Sequence, residues 1–148
     1  MKNNIYTIGF TRKGAEKFFT LLRKNGIRTV LDIRLNNTSQ LAAFAKFPDI
    51  KYFLKEICDI EYIHDIRFSP SSKILKRYRN KEIDWEQYIL EFNSLMEERD
   101  INRHILEHYN LDRKICLLCS EVSSKNCHRS LIANRFKTIF GLADIVDL

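Results

Sequence analysis

Residues 114–133, KICLLCSEVSSKNCHRSLIA, decide how this chain reads. Ile115 to Leu118 is a short, wholly apolar run, the pattern of a strand buried on both faces. It ends at Cys119, Ser120 and Glu121, and a polar loop then leads to Cys127-His128-Arg129. Leu131, Ile132, Phe136, Ile139 and Phe140 follow at helical spacing. A strand, a loop carrying thiols and a carboxylate, and a helix opened by Cys-His-Arg together make a site layout.

Working outward, the same alternation recurs. Residues 5–10 read as a first strand, and Ala15, Phe18, Phe19 and Leu22 as a helix closed near Gly26. Residues 29–33 form a second β-branched run, followed by a polar loop from Leu35 to Gln40. Pro48-Asp49 opens a helix with Ile50, Phe53, Leu54 and Ile57 on one face, and residues 61–64 make a short third strand. Ser69-Pro70-Ser71-Ser72 breaks the pattern before a basic run around Tyr78. Asp84 caps a helix whose core face is Trp85, Tyr88, Ile89, Phe92, Leu95 and Met96. Ile101, Ile105, Leu106 and Tyr109 imply one more helix, and residues 143–148 a terminal strand. The reading is a single three-layer α/β domain spanning 1–148: a mostly parallel sheet of about five strands with helices on both faces.

In such sheets ligands bind outside the carboxyl ends of the strands. The polar residues fall there: Gly9, Thr11 and Arg12 after the first strand, Asp32, Arg34 and the 36–39 loop after the second, His64 at the third and Cys119 to Glu121 at the fourth. Cys127 at a helix N-terminus is expected to favour the thiolate, and Arg129 suits an anion clamp. Cys116 and Cys119 lie an odd number apart on a strand, hence on opposite faces, so they are not a redox pair and Cys116 is core. Cys58, on an amphipathic helix, is expected to be buried. His104 and His108 read as surface or packing histidines. The cysteine and histidine spacings match no common zinc pattern, and neither a metal nor a cofactor is expected.

The 25 basic residues against 19 acidic ones leave a charge of +6, which favours anionic partners. No apolar run approaches the roughly 20 residues of a membrane span. With no leader-like opening and four unevenly spaced cysteines, a reducing cytoplasmic setting is expected.

Tyr6-Thr7-Ile8-Gly9, Leu31-Asp32-Ile33-Arg34 with Asn36-Asn37-Thr38-Ser39, and Leu118-Cys119-Ser120-Glu121 with Cys127-His128-Arg129 carry a resemblance over essentially the whole chain. It resembles the domain-of-unknown-function family 488, whose members look like compact α/β proteins. The resemblance implies no established reaction, but it implies that Asp32, Arg34, Ser39, Cys119, Glu121, Cys127, His128 and Arg129 share a site. Phe10 departs from the family, which commonly has histidine there, and Asn36-Asn37 stand where many members have a proline.

The leading expectation is a thiol-assisted hydrolase or transferase acting on a nucleotide or other phosphorylated substrate. Cys119 or Cys127 would be the reactive thiol, Glu121 and His128 its acid/base partners, and Thr11, Asp32, Arg34, Asn37, Ser39 and Arg129 the anion-binding set. The alternative is a nucleic-acid-binding module in which the cysteines merely pack and Lys76, Arg77 and Arg79 contact phosphates.

Overall fold

The computed structural model describes residues 3–120 and 127–148. Its five strands, β1 (Ile5–Gly9), β2 (Thr29–Asp32), β3 (Glu61–His64), β4 (Ile115–Cys119) and β5 (Ile145–Asp147), form one sheet in the order β3-β2-β4-β1-β5. Every pairing is parallel, with Val30 opposite Cys116 and Ile8 opposite Leu118 across the centre. The α/β expectation is therefore met.

β4 is central and all five of its residues are buried, which explains its unbroken apolar run. Alternation along it assigns the two faces. Cys116 and Leu118 pack with Tyr6, Ile8 and Val30 against helices α1 (Ala15–Lys24) and α2 (Asp49–Cys58). Ile115, Leu117 and Cys119 pack on the other face, beneath α4 (Trp85–Glu98), α5 (Ile101–His108) and α6 (His128–Phe140). The separation of Cys116 from Cys119 is thus confirmed. Cys58, by contrast, is only half-buried: it lies at the last turn of α2, where the helix face meets solvent, against the Phe19 carbonyl.

Two features carry no periodic signal in the sequence. Gln40–Ala45 is a 3-10 segment kinked at Ala43, with φ of 50°. Ile66–Phe68 is a second 3-10 turn, capped by Asp65. The basic run becomes the short helix α3 (Ser72–Arg79), capped by Ser71 through the Ile74 amide. Where Gly9 was expected to make the first turn, it stays in the strand, and the left-handed residue is Arg12, at φ 62°.

The connections define where a ligand can sit. The chain leaving β2 crosses to α2 on one face, and the chain leaving β4 crosses to α6 on the other. β2 and β4 are neighbours. Their carboxyl ends therefore open a crevice at a topological switch point.

Candidate functional site

Cys119 ends β4 with its side chain on the α6 face, and Cys127 is the N-cap of α6. Their sulfurs lie 2.9 Å apart. A guanidinium nitrogen of Arg129, itself only 1% exposed, donates to the Cys119 sulfur at 3.5 Å. The Cys127 thiol is pushed upward in pKa by its hydrogen bond with Cys119, by burial and by the neighbouring sulfur, which together outweigh the Arg129 backbone and charge. That direction runs against the expectation that the helix N-terminus favours the thiolate at Cys127. The raised pKa favours the protonated thiol at Cys127, and either sulfur can be the donor in its contact with Cys119.

His128 begins α6. Its Nε2 lies 2.9 Å from the Ile33 carbonyl, which can only accept, so the ring proton sits on Nε2 and Nδ1 keeps its lone pair. Cys127 Sγ is 4.0 Å from that Nδ1, and the imidazole packs against Phe92 at 5.7 Å between centroids. Burial lowers its pKa to about 4, against the opposing pull of the Ile33 carbonyl and Asp32. The ring is neutral at pH 7 and available as a base. His64 makes the matching contact one residue on, Nε2 to the Arg34 carbonyl at 2.8 Å, so two histidines tie down the chain leaving β2.

These groups form part of the lining of a cavity of about 480 Å³ at the crevice. Arg34, Leu35 and Asn36 bound one side of it, Cys119, Ser120, Cys127 and His128 another, and Lys76, Tyr78, Arg79 and Asn80 of the α3 region a third. Lys76 and Arg79 are exposed, and neither makes an ion pair among the described residues. Arg77 instead pairs with Glu91 of α4 and does not line the cavity. Tyr88 reaches the cavity from α4, stacked between Trp85 and Phe92. It is 2% exposed, and among the described residues its hydroxyl has no hydrogen-bond partner. Burial and the nearby thiols raise its pKa, so it stays protonated and able to donate.

The remaining residues that sequence suggested make the following contacts. Arg34 donates to both oxygens of Asp32, at 2.8 and 2.7 Å, and to the Ala45 carbonyl at 2.7 Å, with the Phe10 ring 5.4 Å from its guanidinium carbon. Phe10, where the family commonly has histidine, thus covers a buried ion pair. Asn37 donates to the Tyr62 hydroxyl at 2.9 Å, and Tyr62 in turn donates to Asp32. Ser39 caps the 3-10 segment through the Leu41 amide, and Thr11 binds the Ser120 carbonyl beside β1. None of Thr11, Asp32, Asn37, Ser39 and Arg129 lines the cavity. Glu121 lies outside the described residues. Sequence reading did not assign Tyr88 to the site, because it fits the apolar face of α4 at helical spacing. Among the described residues no group of three His, Cys, Asp or Glu side chains is placed to hold a metal ion. No helix among them is long and apolar enough to cross a membrane.

A family model described as "Domain of unknown function DUF488" matches residues 14–136. No curated protein and no solved structure matches the chain.

Proposed function

The chain belongs to the DUF488 family, whose description names no reaction, and from the geometry of the rim cavity we propose a thiol-dependent enzyme acting on a phosphorylated small molecule such as a nucleotide. The carrying observation is the cavity itself, which Cys119, Cys127 and His128 line together with Lys76, Arg79 and Tyr88.

Cys119 is the nucleophile. It accepts from Arg129, which favours negative charge on its sulfur, and the Cys127 thiol 2.9 Å away can donate to that charge once it forms. His128, neutral and with Nδ1 unprotonated, is the base, and Glu121 is a further acid/base candidate. The anion is held by Lys76 and Arg79 at the mouth, where a phosphate stays hydrated on one side. Arg34 and Arg129 act from behind, Arg34 by fixing the loop and Arg129 by steadying the sulfur. A cavity of about 480 Å³ suits a ligand of nucleotide size.

One observation favours the alternative of nucleic-acid binding: the exposed, unpaired Lys76 and Arg79 share a helix with Lys73. That reading predicts affinity falling steeply with salt for any long polyanion, and indifference to the thiols. The test is thermal unfolding with millimolar inorganic phosphate, nucleoside monophosphates or a single-stranded oligonucleotide. The small phosphates should raise the midpoint, and the double substitution Lys76→Ala/Arg79→Ala should abolish the rise. No shift with any phosphate refutes the proposal; a shift with the oligonucleotide alone favours the alternative.

A further inference from the structure

Cys119 and Cys127 are eight positions apart in the chain, and the fold sets their sulfurs 2.9 Å from each other. A disulfide bond is about 2.05 Å long, so only about 0.9 Å remains to be closed. Both sulfurs border the rim cavity, which admits a small oxidant. No other thiol competes within the fold: Cys116 faces the opposite side of β4, and Cys58 sits at the end of α2 on that same far side. Arg129 supports negative charge on Cys119, the form that attacks peroxides.

We propose that Cys119 and Cys127 are a redox-active dithiol that closes reversibly to a disulfide when a hydroperoxide enters the cavity. In the first step the Cys119 thiolate attacks the distal peroxide oxygen. The O–O bond breaks, the sulfur is oxidised to sulfenic acid and the alkoxide or hydroxide leaves with a proton as alcohol or water. In the second step the Cys127 sulfur attacks the sulfenic sulfur. The S–O bond breaks, and the Cys127 proton leaves with the hydroxyl as water. A dithiol reductant returns both residues to thiols by exchange. In the oxidised form Cys119 can no longer act as a nucleophile, so the same pair that carries out thiol chemistry also switches it off. The pairing itself needs no anionic substrate and stands or falls separately from the function proposed above.

The experiment uses the full chain with Cys58→Ser, to remove the half-buried thiol, treated with equimolar hydrogen peroxide at pH 7. Intact mass should fall by two hydrogens, and peptide mapping should find Cys119 joined to Cys127 with Cys116 still reduced. Dithiothreitol should restore two alkylatable thiols. Cys127→Ser in the same background should instead accumulate a sulfenic acid on Cys119 that dimedone traps. The mapping of the parent protein decides the matter even where that variant does not fold. Unchanged thiols, cross-links only between molecules, or sulfinic acid at Cys119 without a cross-link each overturn the proposal.

Discussion

Lowering the pH from 7 to 5 should destabilise this protein through His128 by about 1.8 kcal/mol, from an unfolded-state pKa of about 6.5 and a folded value of about 4. Because the folded value lies below the unfolded one, the unfolded chain binds the extra proton between these limits. Stability therefore falls as pH falls through that window and is nearly flat above pH 7. The physical cause is the site itself: the half-buried imidazole packs against Phe92 with its Nε2 proton committed to the Ile33 carbonyl, and charging it there loses part of the hydration it has in the unfolded chain. The assay is urea unfolding at steps from pH 7.5 to 5, on the wild-type chain and on His128→Gln. The glutamine amide can still donate to the Ile33 carbonyl but does not titrate, and contributions from Asp65 and the other titrating groups cancel in the difference. With a denaturant slope of about 2 kcal/mol per molar urea, the wild-type midpoint should drop by about 0.9 M more than that of the variant. Equal drops in both would refute the reasoning, since His128 would then charge as readily folded as unfolded.

Tyr88→Phe removes a hydroxyl that makes no hydrogen bond among the described residues and is not a fully enclosed atom, so stability should hold within about 0.5 kcal/mol, while the phosphate-induced rise in thermal midpoint should shrink. Loss of stability by more than about 1 kcal/mol in urea unfolding would show that the hydroxyl has a structural partner. Phe92→Ala empties a fully buried position beneath both Tyr88 and His128 and should cost about 3–5 kcal/mol in the same assay. Asp32→Ala strands the Arg34 guanidinium at 4% exposure and should cost about 3–5 kcal/mol. Replacing both partners, as Asp32→Ala/Arg34→Met, should recover part of that loss.

The architecture was legible because β4 has the unbroken apolar run of a central strand and the other strands alternate with helices at ordinary spacing. The rim location followed from the sheet class, and parity along β4 correctly separated Cys116 from Cys119. What the sequence left hidden was burial and partnership. Arg34 and Arg129 look like anion clamps as residue types, yet one is tied to Asp32 and Ala45 and the other lies behind a thiol. Asn37 and Ser39 look like ligand groups, and their side chains contact Tyr62 and the Leu41 amide beside a loop kinked at Ala43. The contact between Cys119 and Cys127 depends on how α6 returns over β4, which no local pattern encodes. Tyr88 hides in plain helical periodicity: it belongs to the core cluster and also lines the cavity. Lys76 and Arg79 were legible as part of a basic run, but only the packing of α3 brings them to the cavity that the thiols line.

The most direct test of the account is alkylation of Cys119 in the folded protein, followed by mass spectrometry from pH 5.5 to 9, with iodoacetate and iodoacetamide compared. The account predicts reaction well below the free-thiol pKa of about 8.5, preference for the anionic reagent, and slowing by inorganic phosphate. Reaction only above that pH or only after unfolding, with no protection by phosphate, would contradict it and leave the thiols as packing groups.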